Sequence, residues 1–124
     1  MPDYRDQRKE SRELVVEFTL VYDSKKGKLL GYLRDLTMSG AQISGRTKLA
    51  VGTDVALSVE IPKELPRVNE KELHITAKVA RCITVTDEPP SYALGFEFAE
   101  VTPKQQKIIE KMLKRYHFQR HWVD

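Results

Sequence analysis

Cysteine is almost missing from this chain: Cys82 is the only one in 124 residues. One thiol excludes an internal disulfide and cannot by itself build a zinc site. It falls in a strand-like run, so a reduced, partly buried thiol is expected. No apolar run approaches the ~18 residues of a membrane span. The opening "MPDYRDQRKESRE" also lacks the apolar stretch of a secretory signal. A cytoplasmic location without stable membrane insertion is the expectation. P-loop, GxGxxG, HExxH and CxxC patterns are all absent, and Gly31, Gly40, Gly45 and Gly52 lie too far apart to form a phosphate cradle. Of the three histidines, His74 is mid-strand, while His117 and His121 share an i, i+4 spacing with no acid beyond them except Asp124. A solvated chain end explains that pair more simply than a metal site. A nucleophile needs a base within reach, and a hydrolytic metal needs about three protein ligands. Neither arrangement occurs, so no enzyme, metal or cofactor is expected.

A strong charge of one sign is missing too. Twenty-one Lys+Arg against eighteen Asp+Glu leave a formal net charge of +3, too mild for a protein that binds nucleic acid mainly through its field. The placement of the arginines says more. Arg5, Arg8 and Arg12 crowd into the polar stretch "RDQRKESRE", residues 5–13.

What is present is strand patterning. "LVVEFTLVY", residues 14–22, is rich in β-branched and aromatic residues and puts Val16, Phe18, Leu20 and Tyr22 on one expected core face. "DSKKGK" is turn chemistry. "LLGYLRDLT" and "GAQIS" read as the second and third strands. After a turn at "VGTD", "VALSVEI" alternates, with Val55, Leu57, Val59 and Ile61 inward and Ala56, Ser58 and Glu60 outward. Pro62 and Pro66 end that strand. "LHITAKVARCITV" alternates through Leu73, Ile75, Ala77 and Val79, and its length implies a bend or bulge around Cys82. "DEPPS" is a loop, and "YALGFEF" alternates through Tyr92, Leu94, Phe96 and Phe98.

The period then changes. Thr102 and Gln105 fit a capping box with Pro103 at the first helical position. Ile108, Ile109, Met112, Leu113 and Tyr116 make one apolar stripe. The pattern predicts a mainly β protein: an antiparallel barrel or sandwich of about six strands with a C-terminal amphipathic α-helix. The expected division is one domain over 1–124, with a flexible arginine-rich arm at 1–13, a β-barrel at 14–101 and a helix at 102–118.

Two short patterns carry chemistry. Arg8 and Arg12 form RxxxR, and guanidinium is a rigid fork that pairs bidentately with phosphate or with the O6 and N7 acceptors of guanine. Asp35, Thr37 and Gly40 in "DLTMSG" fit D-x-S/T-x-x-G. Alternation puts Asp35 and Thr37 on one face. A carboxylate there can accept from the N1–H and exocyclic amine of guanine, with the Thr37 hydroxyl beside it. Gly40 permits a turn closed to residues with a Cβ. Each pattern also has a plainer reading: a solvated tail for the first, and local side-chain support of a β-turn for the second.

The ordered pair ahead of a β-rich body resembles the PilZ domain family, bacterial receptors for the second messenger cyclic di-GMP. The family signature is RxxxR in an N-terminal segment followed, some twenty to thirty residues later, by [D/N]xSxxG. "YALGFEF" resembles its late strand. Thr37 stands where serine is usual, keeping the hydroxyl and adding a methyl. The resemblance implies a split barrel in which Arg8 and Arg12 grip the phosphates and guanine edges of cyclic di-GMP. It also implies that Asp35 and Thr37 read guanine and that Gly40 shapes the loop. Arg5, Gln7 and Ser39 are weaker supporting positions. The ligand would order the arm and re-shape a surface for a downstream protein effector, which makes the chain a cytoplasmic signalling adaptor. Two alternatives stay open: a PilZ-like interaction module that no longer binds the nucleotide, and a small β-barrel that binds nucleic acid through its arm. DNA or RNA is not the expected partner, because the aromatics Phe18, Tyr22, Phe96 and Phe98 fall on the expected core faces rather than on an outer stacking platform. The basic, amphipathic "KMLKRYHF" could rest on a membrane surface, but packing on the barrel explains its stripe equally well.

Overall fold

A computed structural model describes residues 19–63, 65 and 68–123, with side chains in the terminal helix described only up to residue 114. Among these residues six strands and one helix follow in order: β1 Leu20–Asp23, β2 Lys28–Leu36, β3 Gly40–Gly45, β4 Asp54–Glu60, β5 Glu72–Asp87, β6 Pro90–Ala99 and α1 Pro103–Val123. All neighbours pair antiparallel, and the strands close into a barrel in the order β1-β2-β3-β6-β5-β4. Closure satisfies the edge groups that an open sheet would leave unpaired.

Alternation explains the core. Val55, Leu57 and Val59 of β4 face Leu73, Ile75 and Ala77 of β5 across the barrel wall, and all six are buried. Leu33, Leu36, Ile43, Leu94 and Phe96 fill the opposite side. Each fully buried side chain of this size contributes ~1.5–3 kcal/mol relative to exposure.

The first strand differs from its expected phase. Val21 is fully buried, whereas Leu20 and Tyr22 are only half-buried and pair with the exposed Tyr32 and Leu29. Leu20 and Tyr22 therefore lie outside. The run "LVVEFTLVY" is richer in apolar residues in the phase of Leu20 and Tyr22, with Glu17 and Thr19 in the other, so local period pointed to the wrong face for its described end. Pairing decided: Val21 sits against Val59 on the inner wall, and Thr19, two residues earlier, is buried with it. Val16 and Phe18 lie outside the described residues, as do Pro66 and the side chains of Tyr116, His117 and His121.

Ser58 pairs with Tyr22 and His74 on the outward face as expected, but it is only 3% exposed. Its hydroxyl has no hydrogen-bond partner among the described residues.

The helix begins as its sequence dictates. The Thr102 amide donates to Gln105 Oε1 at 2.7 Å, and the Gln105 amide donates to Thr102 Oγ1 at 3.1 Å, a reciprocal capping box. Two further contacts bind this first turn to the barrel. Gln105 Nε2 donates to the His74 carbonyl at 2.6 Å, and Lys104 Nζ pairs with Glu70 at 2.6 Å. Ile109 and Met112 are fully buried and Ile108 nearly so, all within the barrel's own core cluster, with Leu113 packed beside them. The stripe thus packs on the barrel. No helix among the described residues is long and apolar enough to cross a membrane.

Candidate functional site

The β2–β3 turn organises the site. Asp35, one residue before the end of β2, lies on the outer face because of a bulge: Leu33 pairs with Ile43 but Asp35 pairs with Gln42, leaving Arg34 as the extra residue. Strict alternation would put Tyr32 and Asp35, three apart, on opposite faces; the bulge brings both outside. Leu33 and Leu36 both stay buried. Asp35 and Thr37 then share the outer face, as expected.

Thr37 makes the turn. Its Oγ1 accepts from the amides of Gly40 at 3.1 Å and Ser39 at 3.3 Å, while its own amide donates to the Gly40 carbonyl at 2.9 Å. The hydroxyl also lies 3.4 Å from Ser39 Oγ. Asp35 Oδ1 accepts from the Leu36 amide at 2.9 Å. The local support expected of an Asp and Thr at a turn is therefore present.

Gly40 is required for a different reason from the one its turn position suggested. Its φ is not among the positive ones; instead, a Cβ there would be driven into the Phe96 carbonyl oxygen across the β3–β6 pair. Close backbone approach, rather than a left-handed dihedral, excludes a side chain.

Above this turn lies an open cleft of ≈ 220 Å³ on the outer wall of β2, β3, β6 and β5. Asp35, Thr37, Ser39 and Gly40 line one side; Gln42, Gly95, Glu97 and Arg81 complete it. The register explains the assembly. Asp35 pairs with Gln42, Gln42 with Gly95, and Gly95 with Arg81, one continuous row across four strands. Directly paired residues share a face.

Gln42, Arg81 and Glu97 were not singled out from sequence, and Gly95 entered only through the late-strand resemblance of "YALGFEF". In "LHITAKVARCITV", Arg81 continues the phase of the buried Val79, so simple alternation would send it inward. A bulge between Val79 and Arg81 reverses that and delivers Arg81 to the outer face. A second irregularity follows between Thr84 and Thr86, so the expected bulge near Cys82 is two bulges, one on each side. An arginine landing on an apolar phase was the available signal. Cys82 itself is a free thiol, half-buried against the core.

The cleft holds carboxylate acceptors in Asp35 and Glu97, a planar cation in Arg81, amide chemistry in Gln42 and a hydroxyl in Thr37. It suits a ligand with amine edges and acceptor edges. The described residues contain no group of three His, Cys, Asp or Glu able to hold a metal ion. Arg5, Gln7, Arg8 and Arg12 lie outside the described residues.

The sequence matches the family model of the PilZ domain over residues 6–118. The chain belongs to the PilZ domain family. The match spans both arginine and aspartate motifs, the whole barrel and most of α1. The fold is similar to the PilZ domain of YcgR from Escherichia coli, solved with c-di-GMP, at 15% identity and TM-score 0.63 over 83% of each chain. It is also similar to K. pneumonia MrkH in its apo state, at 18% identity and TM-score 0.64 over 85% of this chain but 48% of MrkH. Bacillus subtilis Inhibitor of motility, MotI/DgrA, gives 14% identity and TM-score 0.58 over 85% of this chain and 49% of that one. The chain thus spans about half the length of the last two. No curated protein matches the sequence as a relative.

Proposed function

We propose that this PilZ domain is a cyclic di-GMP receptor acting as an adaptor. The observation that carries the reading is the outer-wall cleft over the Asp35-x-Thr37-x-x-Gly40 turn, with RxxxR at Arg8 and Arg12 upstream in the same chain. Membership of the family supports it, as do two structural neighbours solved with c-di-GMP, the PilZ domain of YcgR and the MrkH–c-di-GMP complex.

The chemistry is consistent. A cyclic dinucleotide carries two phosphates and two guanines, so it needs forked cations and carboxylates that accept from N1–H and N2–H. At ≈ 220 Å³ the cleft is smaller than the ~300–1,000 Å³ typical of ligand pockets. It forms one wall only, and Arg8 and Arg12 supply the second by closing on the phosphates. Each charge-assisted hydrogen bond from an arginine contributes ~1.5–3 kcal/mol. Ligand charge draws the arm onto the barrel, and the re-shaped surface meets a protein effector, an order–disorder switch driven by local electrostatics.

Calorimetric titration with cyclic di-GMP, beside cyclic di-AMP, tests this. Saturable binding selective for the guanine ligand is expected. Equal binding of both, or none, rejects the reading.

A further inference from the structure

Gly95 is a glycine that the barrel itself does not need. Its φ is not positive, so any residue could adopt its backbone. A Cβ on it would meet only Arg81, with Arg81 Cβ at 3.5 Å and Nε at 3.7 Å, ordinary van der Waals distances. Gly31, Gly40 and Gly45 differ: there a Cβ would collide with a backbone carbonyl of the paired strand. Glycine in a strand interior weakens the strand. A bare position without a structural cause, in the middle of the row Asp35–Gln42–Gly95–Arg81, therefore points to something that lies on it.

Arg81 points the same way. It faces outward only because β5 carries a bulge between Val79 and Arg81, a device that re-aims a side chain at the cost of a ladder bond. Its Nε lies near the space above Gly95 rather than away from the barrel. It is exposed, and among the described residues it takes part in no salt bridge. Asp35 and Arg81 stand three strand spacings apart along the row, roughly 14 Å at the usual inter-strand distance. The Arg81 Nε leans back over Gly95, two spacings or roughly 10 Å from Asp35, so a guanine held edge-on at Asp35 leaves that floor to another part of the ligand.

We propose that Arg81 is a further ligand-contacting residue, whose planar guanidinium packs face-on against the second guanine above the bare floor at Gly95. The proposal rests on the cyclic di-GMP reading above. Guanidinium stacks on aromatic rings and is only weakly hydrated, whereas an ammonium keeps the charge without the plane. Stacking of a base on a protein group is worth ~1–3 kcal/mol, which is roughly tenfold in affinity for every 1.4 kcal/mol.

The test is calorimetry with cyclic di-GMP on the whole chain: wild type, Arg81→Ala, Arg81→Lys, Gly95→Val and, as a cation control outside the cleft, Lys78→Ala. Arg81→Ala and Arg81→Lys are each expected to bind at least about tenfold more weakly, with Lys78→Ala within twofold of wild type. Gly95→Val should also weaken binding, with a melting temperature at or above that of wild type. If Arg81→Ala binds like wild type, Arg81 makes no contact and the proposal is overturned. Wild-type affinity in Arg81→Lys overturns the planar contact, because charge alone would then suffice. Full affinity in Gly95→Val overturns the bare floor. Failure of the wild type itself to bind rejects the receptor reading and this proposal with it, an outcome distinct from the others because no variant is involved.

Discussion

Thr37 does two jobs with one hydroxyl: it accepts from the amides of Ser39 and Gly40, and it borders the cleft. Thr37→Val keeps the shape and removes the acceptor, so it should cost about 1 kcal/mol of stability and weaken cyclic di-GMP binding. Thr37→Ser should do neither. Denaturant melts and titrations on the two variants check both statements. At Gly40 the demand is steric, since a Cβ has only the Phe96 carbonyl to move against. Gly40→Ala is expected to destabilise by up to ~3 kcal/mol, read as a drop in melting temperature. Ser58 predicts the opposite sign. Its buried hydroxyl lacks a partner among the described residues, so Ser58→Ala should be neutral or slightly stabilising, because burying an unsatisfied polar group is costly.

The helix α1 and the strand bulges set the element scale. The start of α1 is held by the Thr102–Gln105 box, by Gln105 on the His74 carbonyl and by Lys104 on Glu70. Thr102→Ala should cost about 1 kcal/mol. Met112, fully buried in the shared core, should cost ~2–5 kcal/mol as Met112→Ala. Glu70 has its pKa lowered, first by the hydrogen bond from Lys104 and then by its own backbone amide. A lowered folded-state pKa means that this contribution is present at neutral pH and is lost as pH falls through the acid range. Melting temperatures of wild type and Glu70→Gln should therefore differ most near pH 7 and converge on acidification. Bulges are the other device of this scale: at Arg34 and near Arg81 they turn Asp35 and Arg81 outward. Both lie beneath the cleft, where re-aiming a side chain has a use.

At the scale of the whole molecule, the barrel is a closed scaffold whose outer wall, not its interior, carries the cleft. The interior is filled by aliphatic side chains and Phe96, so the receptor reading puts its ligand on the surface, under a second wall. If the arm supplies it, Arg8→Ala with Arg12→Ala should lower cyclic di-GMP affinity by two or more orders of magnitude, at ~1.5–3 kcal/mol for each arginine. The melting temperature without ligand should stay put. Affinity of the wild type should fall with added salt, because the contacts are exposed and ionic. Retained affinity in the double variant would exclude the arm as the second wall.

Much of this was legible in the residues. Clean period-2 runs such as "VALSVEI" and "YALGFEF" state their buried face, since only one phase carries large apolar side chains. The capping box states where α1 begins, because its bonds join residues three apart. "DLTMSG" states a turn with an outward Asp and Thr. What sequence could not decide is whatever depends on pairing between distant strands. The phase of β1 is one such case: the local period of "LVVEFTLVY" favours Leu20 and Tyr22, whereas contact with β4 chose Val21. Arg81 followed an inward phase until the bulge against β6 reversed it. The cleft is a row of four residues from four strands, separated along the chain and joined only by register. Local period and turn chemistry act within a few residues, so the sequence determined each element by itself. Register is fixed only when the barrel closes, so the tertiary structure alone decided which elements share the site.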